Sequence, residues 1–316
     1  MSTSRHLFFL MNHLFVGVAI AVTYGALTGL LIWKLSGEAA FAEYLRVFFQ
    51  AYNGAIVGGL IFSTAILIYR SQRWIPNLIE SNFSQEELAA TEYPEQKRRF
   101  LSAARSAGFA TTFVVISFGL FAFAKFPFSG FANYALVAFG CVEYALGVYI
   151  GRKLFYIAQM LHAIERLDVK RDIFTDDKLG MIAIYVNSLS TLTAAFVFAH
   201  VYAHYYGPFQ YTSTLGAGIR VAMLLPAVLA LPVVGLFNFY PRAVLSTLYG
   251  RSIRWKIDEI KNSLKDAKVT EFERLSYLIE YDKISRDELR YRLRATLSDL
   301  PIAITVILMI IGVLVK

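Results

Sequence analysis

The chain has 316 residues, of which 57% are hydrophobic, 15% aromatic and only 17% charged, with 31 Lys and Arg against 23 Asp and Glu. A soluble domain carries about 25% charged residues, so this balance excludes an ordinary water-soluble fold and points to an all-α protein organised by the bilayer. Its single cysteine, Cys141, excludes an intrachain disulfide framework and any cysteine-based metal cluster.

Six apolar runs follow one another along the chain: Leu14–Trp33, Ala51–Tyr69, Ala107–Ala124, Phe131–Ile150, Leu179–Tyr202 and Ile219–Tyr240. Each is about 27 Å or longer as a helix, enough to cross the hydrocarbon. A seventh, Leu300–Val315, reaches only about 24 Å and has to thin the bilayer or lean on its neighbours to span it. The expected fold is therefore a polytopic helical membrane bundle of six to seven transmembrane helices with a small cytoplasmic helical domain. Its parts are a membrane domain over 1–241, a cytoplasmic helical segment over 242–299 and a short seventh membrane helix over 300–316. Near the N-terminus, Arg5 and Ala19-Ile20-Ala21 imitate a signal peptide, but the apolar run continues to Trp33, well past an h-region, which predicts an uncleaved span.

Cations collect in alternate connections. Residues 70–106, 151–178 and 242–299, together with Arg5, hold 26 of the 31 Lys and Arg, whereas 203–218 has no charge. The positive-inside rule places the N-terminus in the cytoplasm, and a bacterial plasma membrane is the expected host. Topology thus accounts for a pI of 9.4 without nucleic acid as a partner.

Within the inner segments, Ser84-Gln85-Glu86-Glu87 has the form of an N-cap followed by an acidic first turn and predicts a short surface helix. Ile253, Ile257, Ile260 and Leu264 form the stripe of an amphipathic helix. Thr270-x-x-Glu273 and Ser285-x-x-Glu288 are capping boxes that start two more helices. The second of these sets Leu289, Leu293 and Leu297 among Arg286, Arg290, Arg292 and Arg294, a basic face suited to anionic lipid or a partner.

Glu143 is the only acidic residue inside the long apolar runs. A carboxylate there costs several kcal/mol unless neutralised, paired or wetted, which marks a functional site. Depth matching sets Asn187 about 10 Å inside the same inner boundary, with Ser63, Thr64, Thr111 and Thr112 at comparable depth. Such a layer lines an ion, proton or solute pathway, or else holds helices together by hydrogen bonds. Pro226 and Pro232 in the sixth run predict a kinked helix that hinges a gate. Small residues at four-residue spacing, namely Ala21, Gly25 and Gly29, Gly54 and Gly58, and Gly147 and Gly151, allow helices to approach closely or subunits to associate.

His200 and His204 stand among Tyr202, Tyr205 and Tyr206 as an interfacial aromatic belt. Asp168, Asp172 and Asp176 align three carboxylates on one helical face, a weak Mg²⁺ site surrounded by Arg166, Lys170, Arg171 and Lys178. The phosphate-loop, zincin and nucleophile-elbow motifs are all missing, and no cofactor is expected. The leading expectation is a channel or transporter for an ion or small solute, gated through 242–299. Two alternatives stand beside it: a scaffold or signalling subunit with a cytoplasmic partner, and a Mg²⁺-dependent lipid-modifying enzyme. A homo-oligomer is compatible with each.

Overall fold

The computed structural model describes residues 3–51, 54–102, 111–112, 115, 131–167, 178–206, 215–265 and 270–284. Among these, every regular element is helical: α1 (Thr3–Ser36), α2 (Glu38–Leu45), a π-helical turn (Arg46–Ala51), α3 (Gly54–Glu80), α4 (Gln85–Ala89), α5 (Tyr93–Leu101), α6 (Phe131–Ile164), α7 (Lys178–Tyr206), α8 (Leu215–Lys265) and α9 (271–284). Two stretches among the described residues, Met11–Ser36 and Gly54–Glu80, are long and apolar enough to cross a membrane. The expected third run lies largely outside the described residues, and the seventh lies wholly outside them.

Several helices outrun the apolar stretches that announce them. α3 continues past Tyr69 to Glu80, with Pro76 inside it, and α6 continues past Ile150 to Ile164. Hydropathy ends at the first cations, whereas backbone hydrogen bonding does not, because Arg and Gln are good helix formers. α8 has 51 residues, about 77 Å of helix, and its helical backbone is unbroken through positions 226, 232 and 241, all proline. In apolar surroundings an opened backbone leaves polar groups unpaired, which favours a helix even where proline removes a donor.

The chain divides into two compact units, each discontinuous in sequence. Unit 1 comprises Met1–Gln72, Arg99–Tyr156 and Asn187–Phe237; unit 2 comprises Arg73–Arg98, Ile157–Val186 and Asn238–Lys316.

In unit 1, α1 buries one stripe at four-residue spacing, His13, Gly17, Ala21, Gly25 and Gly29, and turns Phe15, Leu27 and Leu31 outward. The small residues serve two different ends. At Gly17 the backbones themselves meet: an added Cβ would run into the Gly59 carbonyl, the Ser63 hydroxyl and, at 2.6 Å, the Ser63 nitrogen of α3. Gly25, Gly54 and Gly58 instead make room for rings, Phe48 against the first two and Phe139 against the third. Phe48 comes from the π-helical turn and centres an aromatic cluster with Tyr24, Tyr44, Phe49 and Phe139. α2 and this turn fill what the sequence suggests is a plain outer connection. Gly37 permits it: φ of +86° joins α1 to α2 in a conformation that a side chain would strain.

In unit 2, the Ser84–Glu87 capping box is formed in full and starts α4. α5 docks on the end of α3, where Lys97 pairs with Glu80 and the buried Tyr93 hydroxyl donates to Glu80 Oε1 at 3.2 Å. Ile253, Ile260 and Ile284 make a small core with Ile257, Leu264 and Tyr277, so the predicted stripe on α8 packs against α9. α9 begins at the predicted Thr270–Glu273 box, whose two reciprocal bonds measure 2.8 and 3.3 Å. Tyr240 bonds to His162 and donates to Glu165 Oε2 at 3.4 Å, and Arg251 donates to the Glu165 carbonyl, which fastens α8 to the end of α6.

Candidate functional site

Two charged side chains are buried in unit 1 among the described residues, and both lie on α6: Glu143 and Lys153, each 1% exposed. Ten residues separate them, about 15 Å along the helix. At that distance their attraction is only about 1 kcal/mol at an effective dielectric of 20, so each has to be stabilised locally.

Glu143 follows Phe139 by one turn of α6. Phe139 fits the space left by Gly58 of α3 and packs on Tyr24 of α1 at 4.9 Å between ring centroids. The Tyr24 hydroxyl donates to the Ala135 carbonyl at 3.3 Å, which ties α1 to α6 about two turns before the carboxylate. Phe139, one turn before the buried glutamate, thus packs where α1, α3 and α6 meet, against the rings of Tyr24 and Phe62.

The proposed layer around it resolves unevenly. Ser63 and Thr64 are buried, and their hydroxyls donate to carbonyls of their own helix, Gly59 and Leu60 at 2.5 and 2.7 Å. Such bonds leave the oxygen able to accept but no longer free to donate. Thr111 and Thr112 are exposed rather than turned inward. Asn187 is on α7, and its side chain is outside those described. The same holds for Pro226 and Pro232 on α8, while Asp168, Asp172, Asp176, Arg286, Arg290, Arg292 and Arg294 lie outside the described residues altogether. Beside Asn187, α7 contributes three buried hydroxyls, Ser188, Ser190 and Thr193, which composition alone does not single out. Thr193 donates to the Leu189 carbonyl at 2.7 Å, whereas the Ser190 hydroxyl has no hydrogen-bond partner among the described residues.

Lys153 is a buried cation that its sequence context does not single out. It belongs to Gly151-Arg152-Lys153, which has the form of an interfacial anchor, and Arg152 beside it does remain half-buried. The Lys153 ammonium instead donates to the Phe100 carbonyl in the last turn of α5. It also lies 5.3 Å from the Phe100 ring centre and 5.5 Å from that of Tyr149. The Tyr149 hydroxyl accepts from Gln72 Nε2 at 2.7 Å, bringing α3 into the same junction. A helix C-terminus and two ring faces are fitting partners for a cation that lacks water. Burial, and secondarily the Arg152 charge, lower the Lys153 pKa to about 8.

Among the described residues, no group of three or more His, Cys, Asp or Glu is placed to hold a metal ion. Cys141 is buried on α6. No family model, no curated protein and no solved structure matches the chain.

Proposed function

We propose that the chain is a multi-pass membrane protein of six or seven spans, N-terminus in the cytoplasm, that moves an ion or small solute past Glu143. The observation that carries this reading is the burial of a carboxylate on α6, one turn from where Phe139 packs between α1 and α3. Retaining such a group in an apolar bundle costs several kcal/mol, and relay or ion coordination offsets that cost in a way that packing alone does not require. The outward face of α1 supports a lipid environment, since Phe15, Leu27, Leu30, Leu31 and Trp33 are exposed over one long apolar surface that water would not tolerate. The remaining apolar runs and the inner bias of the cations support the further spans and their orientation.

In this reading Glu143 is the exchanging or coordinating group. Asn187, Ser63, Thr64 and the α7 hydroxyls supply neutral ligands along the same path, α8 with Pro226 and Pro232 provides the moving element, and 242–299 couples it to the cytoplasm. The test is flux in reconstituted liposomes across a panel of protons, alkali cations and halides. Glu143→Gln is expected to abolish the wild-type flux. Undiminished flux in Glu143→Gln, with the protein correctly inserted, removes Glu143 from the mechanism.

A further inference from the structure

α9 packs on α8 with one face and leaves a second apolar face outside. Phe272 is 81% exposed, and Leu275, Leu278 and Ile279 are each more than half exposed. Tyr277 and Ile284 occupy the opposite, packed side. Four large apolar side chains on one exposed face of a 14-residue helix exceed the scattered apolar exposure of an ordinary surface and mark a binding face. The charge pattern on that face selects its occupant.

Two ridges of side chains at four-residue spacing run along it. One is Arg274, Leu278 and Asp282; the other is Glu271, Leu275, Ile279 and Lys283. Each ridge is apolar in the middle and carries opposite charges at its two ends. A parallel copy of the same helix would set Arg274 against arginine and Asp282 against aspartate. An antiparallel copy, related by a two-fold axis at Leu278, sets Arg274 of each chain against Asp282 of the other, with Leu278 meeting its counterpart. Glu273 takes no part in this contact, since its carboxylate is held by Thr270 at the start of α9. An anionic lipid surface fits poorly, because α9 holds four acidic residues, Glu271, Glu273, Glu280 and Asp282, against two basic ones, Arg274 and Lys283.

We infer that α9 is a dimerisation helix, and that two copies of the protein pair through this face in antiparallel register about Leu278. The ridges interdigitate as in ordinary helix packing, and the terminal charges fix direction and register more than they add affinity.

The experiment uses the full-length protein in nanodiscs and native membranes with Cys141 replaced by Ala, so that introduced thiols stand alone. Leu278→Cys is expected to form an interchain disulfide under mild oxidation, at least five times faster than Leu275→Cys or Phe272→Cys, which lie away from the axis. Arg274→Asp weakens the Leu278→Cys cross-link several-fold, and adding Asp282→Arg recovers it. These positions are exposed, so folding is not at stake, and circular dichroism checks it. Absence of the Leu278→Cys cross-link overturns the proposal, as does equal cross-linking at all face positions or failure of the charge exchange to rescue. A Leu278→Cys thiol that resists maleimide in the monomer also overturns it, because the chain's own residues then cover the face.

Discussion

Gly17→Ala is the sharpest probe of how unit 1 is assembled. The new methyl would sit against the Gly59 carbonyl and the backbone nitrogen of Ser63, and one residue on, the α-carbon and side chain of Val18 already occupy the space beside Gly59. Backbone atoms cannot rotate away, so α1 and α3 have to part along the crossing. Overpacking of this kind costs about 1–3 kcal/mol. Against it stands the helix-propensity gain of alanine over glycine, about 1 kcal/mol. Gly147→Ala is the matched control, since among the described residues a Cβ there meets no atom within 4 Å. The propensity gain is common to both variants and cancels in their difference, which leaves the overpacking cost of about 1–3 kcal/mol. Denaturing-detergent titration in mixed micelles measures both variants against wild type. A difference below about 0.5 kcal/mol, the range of neutral surface changes, would refute the backbone contact between α1 and α3.

Lys153 gives a pH signature. Its pKa of about 8 lies below the ordinary lysine value of 10.5, so between these pH values the unfolded chain holds a proton that the folded chain has released. Stability therefore rises with pH across that window, by at most about 3 kcal/mol, and the burial penalty stands in full below pH 8. Lys153→Met is expected to lose this rise in a pH series of the same titration, and an identical profile would contradict the buried ammonium. At the start of α9, the Thr270 backbone N–H, and then its hydroxyl, hold the Glu273 carboxyl below its usual range. That contribution is present above the unfolded carboxylate value of about 4.3 and is lost as pH falls through the lower folded value. Circular dichroism of Glu273→Gln should accordingly lack the acid-dependent loss of helix expected of the wild type. Ile260→Ala removes the centre of the α8–α9 core and should destabilise that packing by about 2–5 kcal/mol. Hydrogen exchange in α9 would report it, and unchanged protection would refute the packing.

The sequence makes the apolar runs and the helix starts legible because both depend on local signals. Ser84, Thr270 and the Ile253 stripe each act within a turn or two of themselves, and each behaves as its spacing implies. Helix ends are less legible: α3 and α6 run on past Tyr69 and Ile150 through cations that interrupt the apolar runs. Tertiary choices are not legible at all. Arg152 and Lys153 are adjacent cations, and only the approach of Phe100 and Tyr149 decides which is buried. Likewise Gly17 has the same spacing as Gly25, yet one admits a backbone and the other a ring. Glu143 stood out because an acid in an apolar run is costly wherever the helices go. Thr111 and Thr112 are exposed, and a depth counted along the sequence says nothing of the direction in which a helix faces.

Accessibility of position 143 from the inner side tests the central claim most directly. In a Cys141→Ala background, Glu143→Cys and Phe139→Cys place thiols one turn apart on α6, both at positions that are 1% exposed. A pathway that opens during transport predicts that a membrane-impermeant thiol reagent applied from the cytoplasmic side of inverted vesicles modifies position 143 at least tenfold faster than position 139. Equal and negligible modification of both would contradict the account and leave Glu143 as a buried helix contact.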